Sequence, residues 1–315
     1  ISPYNAQDPR TGTILDVALR YLPHTLLAVI NLGLVGLAGL SLLNALAQLL
    51  LPEMVEPVAL DVNWFAVALA CLLTCLLASL PLIPHIRRWL ARWLPIDPNS
   101  LVHMTALSFA VYQIGLSLGQ MALIGDLENL IQAELALTVW DVLLSGIPFL
   151  LFALAGVGLL IRRDGRSTWG RLGLFRPNWK QLLAGAGITI LLLAFDFFVN
   201  WAWQELDPTS YDLLERVSEN IFGQLATVAG ALALGVSAGI SEELLFRGAV
   251  QPRMGLLLTA VLFAVGHLQY GLTVATLEVF VIGLVLGLVR NRSNTTICIL
   301  VHAAYNTVGT LLGML

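Results

Sequence analysis

The sequence predicts an all-α protein, a polytopic transmembrane helical bundle of about eight or nine membrane segments. Three observations lead there. The 315 residues are 58% hydrophobic and 11% charged, whereas a soluble domain carries about a quarter charged residues. Apolar runs of about 20 residues recur along the chain, long enough as helices to span the hydrocarbon layer. The alternating ten-residue segments of a membrane β-barrel are absent. Helices remain, because backbone in lipid must satisfy its own hydrogen bonds.

The apolar runs fall near residues 25–51, 62–86, 101–125, 137–161, 181–203, 224–246, 255–270, 272–290 and 295–315. Residues 1–23 are polar and the first run is too long for an h-region, so no cleavable signal peptide is expected. The seventh run is short. It ends at Gly266-His267-Leu268-Gln269-Tyr270-Gly271, which reads as a break. The expectation is eight full spans and one short or re-entrant segment.

Charge placement orients the bundle. Arg87, Arg88 and Arg92 follow the second run, and Arg162, Arg163, Arg166, Arg171, Arg176 and Lys180 follow the fourth. Arg247 and Arg253 follow the sixth, and Arg290 and Arg292 the eighth. The alternate loops hold Arg216 as their one basic residue, beside Glu53, Glu56, Asp61, Asp126, Glu128, Glu134, Asp141, Glu205, Asp207, Asp212, Glu215 and Glu219. The positive-inside rule then places the N-terminus and the Arg-rich loops in the cytosol. The expected location is a prokaryotic plasma membrane. Loop 162–180 reads as a solvated segment facing anionic lipid, and no nucleic-acid partner is expected. Cys71 and Cys75, four apart in an apolar run, read as small packing residues, neither a disulfide nor a metal pair.

The sixth run ends Gly235-Val236-Ser237-Ala238-Gly239-Ile240-Ser241-Glu242-Glu243-Leu244-Leu245-Phe246-Arg247. Adjacent carboxylates at the end of an apolar helix are expensive unless something needs them. Gly235, Ala238 and Gly239 share a helical face with Glu242, leaving room for another helix or a substrate backbone. Glu243 and Arg247 stand four apart with the acid first, the better order for an ion pair along one helix. The two acids should therefore differ: Glu243 is neutralised, and Glu242 faces the small-residue groove. A marker of the cytosolic helix end would explain these three charges equally well. His267 in the seventh run weighs against that, as do His302 and Asn306, four apart in the ninth. His24, His85 and His103 fall at span ends, where an interfacial role suffices.

These residues resemble the CPBP family of intramembrane CAAX prenyl endopeptidases and bacteriocin-processing enzymes. Its pattern is EExxxR, then FxxxH, then HxxxN. Here it stands as Glu242-Glu243 to Arg247, Phe263 to His267, and His302 to Asn306. The likeness covers about residues 224–310, with a weaker echo at Trp169-Gly170-Arg171-Leu172-Gly173-Leu174. It implies an N-terminal set of transmembrane helices over 1–160 with no recognisable motif, and a catalytic transmembrane core over 161–315. It also implies hydrolysis of a peptide bond by water, on a membrane-associated and in some members prenylated substrate, with no cofactor.

The chemistry follows from the residue types. Glu242 and His267 would share and deprotonate a water. His302 and Asn306 would donate to the tetrahedral oxyanion, each donor worth ~2.7–4 kcal/mol. Glu243 and Arg247 would orient the site. Depth presents a difficulty. Glu242 lies about 7.5 Å of helix rise from Arg247, and His302 about 12 Å from Asn294, but His267 about 20 Å from Met254. Only a loop dipping inward, or a strongly tilted segment, reconciles these.

Three other readings stand beside this one. Glu242, His267 and His302 could be zinc ligands with Asn306 behind them, although no HExxH is present. The motifs could hold helices together in a non-catalytic scaffold. Asp196, Asn200 and Glu278 could mark a proton path in a transporter, or be interhelical hydrogen bonds.

Overall fold

The computed structural model describes residues 9–51, 62–125, 127–132, 136–159, 163–268 and 271–314, with side chains from Tyr21 onward except that of Gln132. All named elements among these residues are helical. Among the described residues, eight segments are long and apolar enough to cross a membrane: Tyr21–Leu50, Trp64–Leu82, Leu101–Ile124, Val139–Gly156, Trp179–Leu206, Val228–Val265, Val274–Arg292 and Thr295–Leu312. Arg162, Glu53, Glu56, Asp61, Asp126, Glu134, Gln269 and Tyr270, used above for orientation and for the break, lie outside the described residues.

The chain divides into two compact units. The first contains α1 (Pro9–Leu50), α2 (Trp64–Ser79), α3 (Pro84–Leu90) and α4 (Leu101–Ile124). Leu27, Ala78, Met104 and Tyr112 form its core. The polar residues in it pair off, as membrane burial requires. The Tyr112 hydroxyl donates to Asn31 Oδ1 at 2.8 Å, Asn31 Nδ2 to Ser79 Oγ at 3.0 Å, and Ser108 Oγ to the Ala78 carbonyl at 2.8 Å. A Cβ on Gly115 would lie 1.9 Å from Thr74 Oγ1, so α2 and α4 meet at that glycine.

The second unit carries α5 (Leu127–Gln132), α6 (Val139–Gly156), α7 (Gly165–Leu172), α8 (Trp179–Leu206) and α9 (Pro208–Phe222). Then come α10 (Val228–Glu243), a π-helical turn (Leu244–Val250), α11 (Gln251–Val265), α12 (Val274–Arg292) and α13 (Thr295–Leu312). Side-chain caps start most of them: Thr138 with Asp141 for α6, Asn178 with Gln181 for α8, Asp164 for α7, Asp207 for α9, Thr227 for α10 and Asn294 for α13. One acidic stretch expected as a loop is the amphipathic α9. It buries Leu214, Val217 and Ile221, and Val217 and Ile221 pack on Leu130 of α5.

The sixth run does not end at Arg247. The helix continues through the π turn to Met254, and the chain leaves helical geometry at Gly255 (φ 78°, ψ 173°), a region essentially confined to glycine. Beyond that point α11 reverses. A Cβ on Gly287 would touch Leu256, and one on Gly283 would touch Ala260 and Phe263, so α11 and α12 run antiparallel. Arg247 bonds to the Gly283 carbonyl and Gln251 to that of Gly287, so the π turn runs parallel to α12. From Gly255 to Val265 the returning limb rises only about 15 Å, half a bilayer, which is the short segment expected from the sequence.

Candidate functional site

The site is built where α10, α11 and α13 approach one another. Gly235 and Gly239 make the approach possible. A Cβ on Gly239 would stand 2.8 Å from Ala303 Cβ, and one on Gly235 2.1 Å from Thr307 Oγ1. The small-residue stripe is therefore filled by α13. This is the close helix approach that small residues there allow, and it corrects the expectation that Glu242 is the acid facing the stripe. The spacing 235, 239, 243 leads along one face to Glu243, and it is Glu243 that meets α13.

Glu243 is fully buried at 0% exposure, as is Arg247. Arg247 Nη1 donates to Glu243 Oε1 at 2.8 Å, and Nη2 donates to the Gly283 carbonyl at 3.0 Å. The guanidinium carbon sits 4.3 Å from the centre of the Phe263 ring, a desolvated cation–π contact. Arg247 is thus an interior residue, not the loop charge assumed in orienting the chain. The π turn explains how. Its extra residue rotates the helix so that Leu244, Phe246, Arg247 and Gly248 are all buried.

The same Glu243 Oε1 lies 2.9 Å from His302 Nδ1. A carboxylate only accepts, so the proton on this bond belongs to His302. Phe263 binds the assembly together. Its ring lies 5.8 Å from His302, 4.9 Å from His267 and 5.3 Å from Phe246. The sequence spacing FxxxH gave no hint of this central position.

Glu242 points elsewhere. Its side chain is 17% exposed and that of His267 23%, and Glu242 Oε2 lies 4.0 Å from His267 Nε2. That separation exceeds a direct hydrogen bond. Glu242 Oε2 is buried and has no hydrogen-bond partner among the described residues. His267 Nδ1 lies 2.8 Å from the Phe263 carbonyl, which fixes the ring and directs Nε2 at Glu242.

The depth difficulty is removed by the reversal at Gly255. From Glu242 to Gly255 is 255 − 242 = 13 residues, and from Gly255 to His267 is 267 − 255 = 12. Equal limbs return His267 to the level it left. Asn306 stands one turn beyond His302 on α13 and is partly exposed. Among the described residues no three His, Cys, Asp or Glu side chains converge as a metal site. Glu242 with His267, and Glu243 with His302, are two separate pairs.

Of the other intramembrane polar residues, Asp196 makes an interhelical bond and Asn200 one within its own helix. Tyr305 of α13 donates to Asp196 Oδ1 of α8 at 2.8 Å, and Glu278 of α12 is buried. Asn200 turns back to the Asp196 carbonyl on its own helix. Tyr305 was not singled out from the sequence. Its place between His302 and Asn306 was the available signal.

No curated protein and no solved structure is detectably similar to the chain. Residues 224–308 match the family described as Type II CAAX prenyl endopeptidase Rce1-like. They span α10, the π turn, α11 and α12 and most of α13, and contain every residue of the two pairs. The chain is a multi-span integral membrane protein that carries, over residues 224–308, a domain of the Rce1-like type II CAAX prenyl endopeptidase family, a family of proteases.

Proposed function

We propose that the protein is a glutamate-dependent intramembrane endopeptidase in which Glu242 and His267 activate water. The observation that carries this reading is the buried, unpartnered Oε2 of Glu242, 4.0 Å from His267 Nε2. One water can lie within hydrogen-bond distance of both atoms at that separation. Glu242 accepts a proton from the water as the water oxygen bonds to the scissile carbonyl carbon. The carbonyl π electrons move to its oxygen. Collapse of the tetrahedral species breaks the C–N bond, and Glu242 returns its proton to the leaving nitrogen.

His302 and Asn306 stabilise the oxyanion. With Nδ1–H committed to Glu243, His302 offers Nε2 as a donor when the ring is doubly protonated. Asn306 supplies a neutral amide donor one turn away. Glu243 and Arg247 touch no reacting atom; they position His302. The substrate is a peptide held at the membrane, either a prenylated C-terminus or a segment of a membrane protein. The site opens toward the cytosolic leaflet, as the arginine distribution suggests.

The deciding experiment uses purified protein in vesicles with a fluorogenic peptide carrying a prenylated C-terminus, beside its unprenylated twin. Cleavage by the parent and none by Glu242→Gln, with both proteins equally folded, supports the reading. Equal cleavage by both would remove it. A preference for the prenylated peptide selects the CAAX-type substrate.

A further inference from the structure

Outside the catalytic pairs, the second unit gathers four arginines at one end of the bundle. Arg171 sits in the last turn of α7, Arg290 in the last turn of α12, Arg253 just past the π turn, and Arg163 just before α7. Arg290 packs against the Cα of Gly173, where a Cβ would stand 2.6 Å from its Nη2. Arg253, Arg163 and Arg290 all lie close enough to Arg171 to repel its charge. Burial, and then these neighbouring charges, hold that guanidinium below its ordinary range. None of the four forms an ion pair among the described residues. Backbone carbonyls take part of the load: Arg171 donates to Gly248 and Ala249, and Arg290 Nε to Arg247.

Three cations around a half-buried fourth call for an anion. Their surroundings say which. Trp169, Phe175 and Trp179 are exposed large aromatics on and beside α7, at the end of a span. Exposed aromatics beside arginines at a span end are the mark of the headgroup level of a bilayer. We propose that Arg163, Arg171, Arg253 and Arg290 bind the phosphate of an anionic phospholipid headgroup, with Trp169 and Phe175 against its acyl region. The site is independent of peptide cleavage. It reaches the catalytic domain because Arg171 and Arg290 hold the carbonyls of the π turn that buries Arg247.

The test is native mass spectrometry of the detergent-purified protein titrated with phosphatidylglycerol or phosphatidylcholine. Arg253 is exposed and bonds to nothing among the described residues, so Arg253→Gln leaves the fold intact. It is expected to weaken phosphatidylglycerol binding about fivefold, the contribution of one basic residue at a charged headgroup, with phosphatidylcholine binding unchanged. Arg92→Gln, in the first unit, should change neither. Equal loss in Arg92→Gln would mean diffuse surface charge and overturn the site. Glycerol phosphate competing as well as phosphatidylglycerol would mean a soluble phosphate site and overturn the lipid assignment. No preference for phosphatidylglycerol in the parent would overturn both.

Discussion

Oε1 of Glu243 lies 2.9 Å from Nδ1 of His302, joining α10 to α13 inside the bundle. The same oxygen takes the Arg247 guanidinium. Glu243 is therefore shared between a structural cation and a residue of the proposed oxyanion site. Glu243→Gln and Arg247→Ala should each cost both stability and turnover, because both act on His302 through one carboxylate oxygen. Removing one partner of a buried pair costs about 3–5 kcal/mol. Thermal unfolding in detergent across the double-mutant cycle should give a double variant little worse than either single one. Strictly additive losses would mean that the two side chains do not act together.

Glu242→Gln should lower peptide cleavage by about 10²–10⁴-fold, the usual contribution of a positioned general base. Its melting temperature should stay close to the parent's, because Glu242 Oε2 gives up no hydrogen bond. Near-normal turnover on a validated substrate would exclude the glutamate mechanism.

His302→Ala and Asn306→Ala should each lower kcat by about 10²–10³-fold and leave KM within a small factor, since the oxyanion exists only on the way to and from the transition state. His302→Gln, which keeps a donor, should recover part of the loss. Zinc analysis runs in parallel. Stoichiometric zinc in the parent, lost in His302→Ala and kept in Asn306→Ala, would replace the oxyanion assignment with a metal site.

Much of this was legible in the sequence, and the reasons differ by residue. The helices follow from composition and the absence of alternating ten-residue segments, because lipid admits only helices and closed barrels. The Glu243–Arg247 pair follows from a spacing of four on one helix. The Glu243–His302 bond does not, since it crosses 302 − 243 = 59 residues and no local rule links them. Gly235 and Gly239 mark a site of close approach in the sequence, but 239 is within one turn of both acids. Only the packing of Ala303 decides which acid the stripe serves. The π turn was not foreseen, because nothing in Leu244–Val250 distinguishes it from ordinary helix.

Gly255→Ala should destabilise the protein by about 1–3 kcal/mol, the cost of a side chain in that backbone region. Cleavage should fall further than stability does, because His267 is delivered by this turn. Unfolding and turnover measured on the same preparation separate the two effects. Unchanged turnover would show that the reversal tolerates a Cβ.

A cysteine at Arg292, exposed at the end of α12, should react with a membrane-impermeant thiol reagent only from the cytosolic side, with Cys71, Cys75 and Cys298 first replaced. Labelling from outside intact cells would invert the orientation, and with it the compartment from which peptides are drawn.

The reversal at Gly255 also constrains how this segment can change in length. Glu242 and His267 hang from opposite limbs of one hairpin, 13 and 12 residues from its apex. One residue added to a single limb moves its end by about 1.5 Å and turns it by roughly 100°, enough to part the two side chains. The same addition made to both limbs moves the apex and leaves the pair at one level. Length variation on either side of Gly255 should therefore occur in matched pairs, with the apex drifting in depth while Glu242 and His267 stay together.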